Sequence, residues 1–81
     1  MKNISLKEIA KNLNEYEHLL NYDKWLKDNY NIDETSIEWI HFYFGCERSK
    51  YETNNQFELA MEDYLWESYL EDLRKLIVNK M

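Results

Sequence analysis

The residues best suited to chemistry lie between positions 58 and 72, in the stretch ELAMEDYLWESYLED. This stretch contains six carboxylates and no lysine or arginine. Carboxylates act as general acids and bases, bind cations and attract basic partners. Two tyrosines and a tryptophan stand between them, and these side chains are enriched where proteins bind one another. Catalysis, metal binding and recognition of a basic partner are therefore the functions to consider.

Catalysis and metal binding lack the residue patterns that they require. His18, His41 and Cys46 show no CxxC or HxxxH spacing, whereas zinc sites use such short pairs. A partly buried His41 and an unreactive Cys46 account for these residues without a metal. The single glycine of the chain excludes a glycine-rich phosphate-binding loop. We therefore expect no enzyme activity, no metal site and no cofactor.

The acids are spaced so that several share one side of a helix. Asp63, Glu67 and Glu71 recur every four residues, which places them at intervals of about 6 Å along one side. Like charges at this spacing destabilise an isolated helix by about 0.2–0.5 kcal/mol per pair. Two interpretations stay open: a surface that imitates nucleic-acid phosphates, or a solvated face in an acidic protein. The predicted partner-binding acids also include Glu58, Glu62 and Asp72.

Aromatic residues border this acidic stretch. The chain has three tryptophans and seven tyrosines, more than a core of this size is expected to bury completely. Most of them are expected in the core. Tyr51 stands in a polar segment, and Tyr64 and Tyr69 lie within the acidic stretch. We predict that these three tyrosines are exposed and take part in partner binding.

Helices must position these residues, because one glycine and no proline leave few turns for a sheet protein. SLKE at 5–8 is a capping box, and the apolar pattern of this first helix continues to Leu20. Asn21 can end this helix or cap the next one, a short helix from Tyr22 to about Asn29. The segment 37–44, IEWIHFYF, has a TSIE capping pattern that favours a helix, but its β-branched and aromatic content favours a strand. We predict an all-α bundle of three to four helices; the alternative is an α+β fold with a short strand or hairpin around 37–53.

The last helix is expected to be the longest element, from about Gln56 to Asn79. Gly45 is expected to end the preceding helix with a positive φ. A loop over 45–55 would follow, with Asn55 as the cap of the last helix. A near-heptad apolar stripe is predicted to face the core. It consists of Leu59, Trp66, Tyr69, Leu73 and Leu76, widened by Phe57, Met61, Leu65, Leu70 and Ile77.

Length and charge limit the possible functions further. The 81 residues suit a single helical domain, 1–81. A net charge of −6 argues against direct binding of nucleic acid, which needs clustered lysine and arginine. No apolar run approaches the roughly 18–20 residues of a membrane span, and one cysteine fits a reducing cytoplasm. Eight of the ten basic residues lie outside the middle of the chain: Lys2, Lys7, Lys11, Lys24 and Lys27, then Arg74, Lys75 and Lys80.

In size, acidity, lysine and asparagine content and the run ELAMEDYLWESYLED, the chain resembles the small phage and mobile-element inhibitors of bacterial defence, the anti-CRISPR class. It resembles anti-restriction DNA mimics more distantly. The resemblance concerns size and composition, and no functional residue is transferred from it. It implies an inhibitor in the cytoplasm of a bacterial host. Such an inhibitor would cover the basic nucleic-acid-binding surface of a protein such as a Cas effector or nuclease.

Two alternatives use the same residues differently. An immunity protein or antitoxin would neutralise a nuclease toxin through the acids and tyrosines of the last helix. A self-assembling helical protein would instead form a homodimer by pairing this helix with a second copy. The pairing residues would be Leu59, Trp66, Leu73 and Leu76.

Overall fold

Helices make up nearly all of the regular structure. The structure, a computed structural model, describes residues 4–80, with side chains for 4–79, so Lys2 and the side chain of Lys80 lie outside the described part. No strand occurs within residues 4–80. The all-α prediction is confirmed, and the alternative hairpin around 37–53 is wrong. The elements are α1 (Leu6–Lys11), α2 (Leu13–Tyr16), α3 (Tyr22–Tyr30), α4 (Ile37–Phe44), a 3₁₀ helix (Gly45–Lys50) and α5 (Asn54–Lys80).

The first predicted helix is divided in two. Its start is as expected, because the Ser5 hydroxyl accepts a 3.2 Å hydrogen bond from the backbone N–H of Glu8. At Asn12 the backbone leaves helical geometry, with φ −112° and ψ 34°. The Asn12 side-chain amide donates to the Glu8 carbonyl at 3.1 Å. Asparagine competes for backbone groups in this way, so α1 ends and the shorter α2 begins.

Both α3 and α4 begin with a side-chain cap. Asn21 Oδ1 accepts hydrogen bonds from the N–H groups of Asp23 and Lys24, at 2.9 and 3.4 Å. Ser36 Oγ accepts from the N–H of Trp39 at 3.1 Å. The cap of α4 is therefore one residue later than the TSIE pattern indicates. Helix is the correct choice for 37–44.

The connection between α4 and α5 differs from the prediction. Gly45 has φ −54°, so it does not take the expected positive φ, and the chain continues directly into the 3₁₀ helix. Most of the predicted loop is therefore helical. The cap of α5 is Thr53, whose hydroxyl accepts from the N–H of Gln56 at 3.1 Å. The predicted cap, Asn55, already lies inside α5.

The long helix α5 organises the fold. Its 27 residues span about 40 Å, close to the 41 Å length of the molecule. Apart from Leu70, its buried residues recur every four positions, and each such step turns about 40° around the helix. The buried face consequently winds around α5 along its length. The residues of this buried stripe are Phe57, Met61, Leu65, Tyr69, Leu73 and Ile77.

The winding stripe contacts different helices at its two ends. Near the start of α5, Phe57 and Met61 pack with Ile40 of α4. Further along, the stripe packs with Ile9 of α1 and with Trp25 and Leu26 of α3. Leu59, predicted in a near-heptad stripe, is 54% exposed. The prediction is wrong for Leu59, because the main spacing of the buried residues is four, which leaves position 59 on the outer side of the helix. The residues predicted to widen the stripe are buried, as are Tyr69 and Leu73.

Candidate partner-binding surface

The acids of α5 that face away from the core form the candidate surface. Asp63 and Glu67 lie about 160–200° around the helix from the buried stripe, and both are exposed. They are separated by one step of about 6 Å along the axis. Glu62 is also exposed, about 100° around the helix from Asp63 and nearer to the buried stripe. Among the described side chains, none of these three carboxylates forms an ion pair. We call Glu62, Asp63 and Glu67 the acidic row.

The predicted surface is less negative towards the end of α5. Glu71 continues the side on which Asp63 and Glu67 lie, but Arg74 approaches its carboxylate at 3.6 Å. Asp72 lies 3.9 Å from the Lys75 ammonium and also accepts a hydrogen bond from another helix. These two acids are half-buried. The strongest uncompensated negative charge of α5 therefore lies at positions 62–67.

Glu58 serves a contact between helices. Its carboxylate lies 2.7 Å from Nε2 of His41 in α4, and the two side chains are 18% and 33% exposed. The imidazole ring also packs on Phe57, with centroids 5.0 Å apart. Glu58 was predicted to bind a partner, but the structure uses its carboxylate to join α4 to α5.

Tyr69 was predicted both in the core-facing stripe and as an exposed partner-binding residue, and the structure supports the first prediction and contradicts the second. Its side chain is fully buried, and its hydroxyl donates a 2.7 Å hydrogen bond to the carbonyl oxygen of Leu20. Burial, and to a smaller extent the carboxylate of Glu17, raise the pKa of Tyr69. The residue belongs to the buried stripe of α5, so it is not available to a partner.

The other two predicted tyrosines differ from each other. Tyr51 is half-buried against Phe57, with ring centroids 5.8 Å apart. Its carbonyl oxygen accepts a hydrogen bond from Arg48. Tyr64 is 53% exposed and lies one turn of helix from Glu67. Of the three tyrosines, Tyr64 is the one placed beside the acidic row.

The structure adds exposed aromatic residues that the sequence analysis did not select. In α4, Phe42 is 86% exposed and Tyr43 is 50% exposed. A signal for them exists in the sequence, because IEWIHFYF has bulky apolar residues on all sides of one helix. A helix of that kind is completely covered only in a large core. In an 81-residue chain, some of those side chains must face solvent.

Ring contacts join Tyr43 to Tyr64 across α4 and α5. Tyr43 stacks on Trp39 with centroids 4.9 Å apart and meets the edge of Phe44 at 4.9 Å. Phe44 in turn meets Tyr64 at 6.1 Å. Tyr30 of α3 contacts Tyr43 at 5.2 Å. Burial raises the pKa of Tyr30, and the nearby phenol groups of Tyr64 and Tyr43 raise it further. We call Tyr30, Tyr43 and Tyr64 the tyrosine surface.

Other kinds of site receive no support from the described residues. Within residues 4–79, no group of three or more histidine, cysteine, aspartate or glutamate side chains is arranged to hold a metal ion. Cys46 is an exposed free thiol. None of the helices in the described part combines the length and apolar character needed to cross a membrane. Comparison of the chain with protein-family models, curated proteins and solved structures finds no match.

Proposed function

We propose that this protein is an inhibitor that binds a basic, nucleic-acid-binding surface of another protein and prevents nucleic acid from reaching it. The observation that supports this most strongly is the acidic row. Its three carboxylates are exposed on one long helix and form no ion pair with the described side chains. Asp63 and Glu67 lie on the side away from the core, and Glu62 lies about 100° around the helix from Asp63. A surface of this sign attracts lysine and arginine of a partner and accelerates association.

Folding does not explain the row. Asp63 and Glu67 are exposed and form no ion pair with the described side chains, and like charges one turn apart oppose helix formation by about 0.2–0.5 kcal/mol. Only acids in the first turn of a helix benefit from its dipole, and α5 begins at Asn54. A repeated negative charge at about 6 Å intervals would instead suit a groove that binds successive phosphates.

The partner class follows from charge. Basic grooves that hold guide RNA, target DNA or substrate are lined by lysine and arginine, as in Cas effectors and nucleases. Binding there needs neither catalysis nor a cofactor from the inhibitor, and we propose that the protein supplies neither. The acids and the tyrosines beside them would exclude nucleic acid by occupying its place.

A second copy of the chain is a weaker candidate. The predicted dimer would use Leu59, Trp66, Leu73 and Leu76, but Leu73 is fully buried inside the chain and Trp66 is half-buried. The aromatic ring of Trp66 contacts Tyr22 and Tyr69 of the same chain. A dimer along this stripe would therefore have to replace contacts that already hold one chain together.

The test compares two variants of equal charge. The first neutralises the acidic row, and the control neutralises three exposed acids elsewhere. Bacterial lysate is passed over each immobilised protein, and bound proteins are identified by mass spectrometry. Each captured protein is then assayed for nucleic-acid binding with and without the inhibitor. The substitutions are Glu62→Gln, Asp63→Asn and Glu67→Gln in the first variant, and Glu15→Gln, Asp28→Asn and Glu34→Gln in the control.

We expect the wild type and the control to capture a basic nucleic-acid-binding protein, to release it with added salt, and to compete with its nucleic acid. The row variant should lose most of this binding. Exposed charges attract a partner only within about 8–10 Å at physiological ionic strength, so acids elsewhere on the chain cannot replace the row. A nuclease toxin among the captured proteins would identify an immunity protein or antitoxin. Equal binding by both variants, or simultaneous binding of inhibitor and nucleic acid, would contradict the proposal.

A further inference from the structure

The acidic row and the tyrosine surface meet at one place on α5. Glu67 follows Tyr64 by three residues, and side chains at this spacing are neighbours on a helix. Both are exposed. Tyr64 is joined through Phe44 to Tyr43, which is itself half open to solvent. A carboxylate and an accessible phenol ring are therefore neighbours on α5, and the second phenol ring, on α4, lies on the other side of the Phe44 ring.

Arginine satisfies this combination better than any other side chain. Its planar guanidinium stacks on aromatic rings and can donate two parallel hydrogen bonds to one carboxylate. Lysine has a compact, strongly hydrated ammonium that lacks the planar geometry and the paired donors. A purely apolar partner would pair with the rings but would leave Glu67 without a cation at a closed interface, which is unfavourable.

We infer that Tyr43, Tyr64 and Glu67 form a docking site for an arginine side chain of a basic protein partner. The inference rests on the proposed function, because it assumes that the acidic row faces such a partner. It adds the side chain that is recognised and the residues that recognise it. The net charge of −6 brings the basic partner close, and the rings then discriminate arginine from lysine.

Two labelled peptides of equal length, oligo-arginine and oligo-lysine, test the inference directly. Their affinities for the protein are measured by fluorescence anisotropy at two salt concentrations. The wild type should bind oligo-arginine about threefold to tenfold more tightly than oligo-lysine, the range expected of exposed to partly desolvated cation–π contacts. The double variant Tyr43→Leu/Tyr64→Leu keeps apolar side chains at both positions and should bind the two peptides equally.

Matched controls separate the possible causes. Phe42→Leu removes a more exposed aromatic ring from the same helix, and Phe42 has no ring contact with the tyrosine surface among the described residues. It should leave the arginine preference unchanged. Glu67→Gln should reduce the preference for arginine, whereas Glu34→Gln should not. Circular dichroism of each variant checks that the helices are intact, and Tyr64→Leu alone replaces the double variant if Tyr43→Leu unfolds the chain.

The outcomes distinguish this inference from the proposed function. If the tyrosine variant keeps the full arginine preference, or Phe42→Leu abolishes it, the docking site is wrong. The proposed function would still stand if neutralising the acidic row lowered the affinity for both peptides, and lowered it more than neutralising the three control acids does. If neutralising the acidic row changes the affinity for neither peptide, the proposed function fails, and the arginine inference fails with it.

Discussion

The indole Nε1 of Trp25 donates a 2.6 Å hydrogen bond to a carboxylate oxygen of Asp72, and this contact joins α3 to α5. Asp72 belongs to the acidic stretch that the sequence assigns to partner binding, yet its carboxylate is engaged within the fold. The acids of α5 therefore divide into two kinds. Glu58 and Asp72 hold other helices, whereas the acidic row faces solvent.

Removing the Asp72 carboxylate should destabilise the fold. We expect Asp72→Ala to lower the free energy of unfolding by about 1–2 kcal/mol, because the partly buried Trp25 N–H loses a charged acceptor. Asp72→Asn retains an oxygen acceptor and should lose less. Urea denaturation measures both. Glu67→Ala is the control on the solvent side and should change the free energy of unfolding by at most about 0.5 kcal/mol. Equal losses at positions 67 and 72 would contradict the division of the acids into those that hold the fold and those that face solvent.

The Tyr69 hydroxyl contributes separately from its ring. Tyr69→Phe removes the hydrogen bond to the Leu20 carbonyl and should cost about 0.5–1.5 kcal/mol of unfolding free energy. Tyr69→Ala also empties the space of a fully buried ring and should cost about 3–5 kcal/mol. Thermal and urea unfolding measure the two variants. An exposed, partner-binding Tyr69 would show almost no loss in either variant.

Alkaline pH should destabilise the protein through one buried and two half-buried tyrosines. Burial raises the pKa of Tyr22, Tyr30 and Tyr69 above the model-compound value of 10.0, with a smaller effect of the Glu62 and Asp23 carboxylates on Tyr22. A raised pKa in the folded state means that the folded state binds the proton more tightly. This stability is fully present below the unfolded pKa and is lost as pH rises through the folded pKa, at up to about 1.4 kcal/mol per pH unit for each group.

The alkaline effect is measured as unfolding free energy against pH, with tyrosinate formation followed by ultraviolet difference absorbance. Tyr69→Phe should show a shallower decline above the unfolded tyrosine pKa, because one titrating group is gone. Lysines titrate in both proteins, so subtracting the unfolding free energy of the variant from that of the wild type at each pH removes their contribution. A decline of equal slope in the two proteins would show that Tyr69 does not contribute to it.

The His41–Glu58 contact should appear as an energetic coupling between α4 and α5. A double-mutant cycle with His41→Ala and Glu58→Ala should give about 0.5–1.5 kcal/mol of coupling, since both groups are largely buried at 2.7 Å. Lys27 and Asp33 offer a control cycle, because they are mostly exposed and 4.0 Å apart. Exposed pairs of that kind contribute little. Comparable coupling in both cycles would contradict the assignment of Glu58 to the fold.

The four-residue spacing of the buried stripe can be tested with two leucines of the same helix. Leu65 is fully buried and Leu59 is 54% exposed. We expect Leu65→Ala to cost about 2–5 kcal/mol by leaving a cavity, whereas Leu59→Ala should cost less than about 1 kcal/mol because it is a surface change. Chemical denaturation measures the loss of unfolding free energy in the two variants. A large loss at position 59 would restore the near-heptad stripe.

Local signals predicted much of the secondary structure. The caps at Ser5 and Asn21 involve atoms two or three residues apart, so the sequence nearby is sufficient to place them. The extent of α5 was also predicted to within two residues at its start. The break at Asn12 was missed, because the apolar pattern continues across it and only the side-chain hydrogen bond to Glu8 shows the interruption.

The candidate surface was predicted less completely, for a different reason. The sequence placed Asp63 and Glu67 on a common side of one helix, which needs only helical geometry. It could not assign Asp72 to Trp25 or Tyr69 to Leu20, because these partners are 47 and 49 residues apart in the chain. Tyr43 was missed because IEWIHFYF is apolar on every side, so no periodicity marks its exposed face.

By itself, the sequence determined that the chain is helical, that its last helix is long, and that this helix has many acids and no base between positions 52 and 72. These properties depend on composition and on residues within one or two turns of each other. The tertiary structure alone decided which side of α5 is buried, because α1, α3 and α4 cover different parts of a stripe that winds around it. That choice separates the acids that hold the fold from those that face solvent.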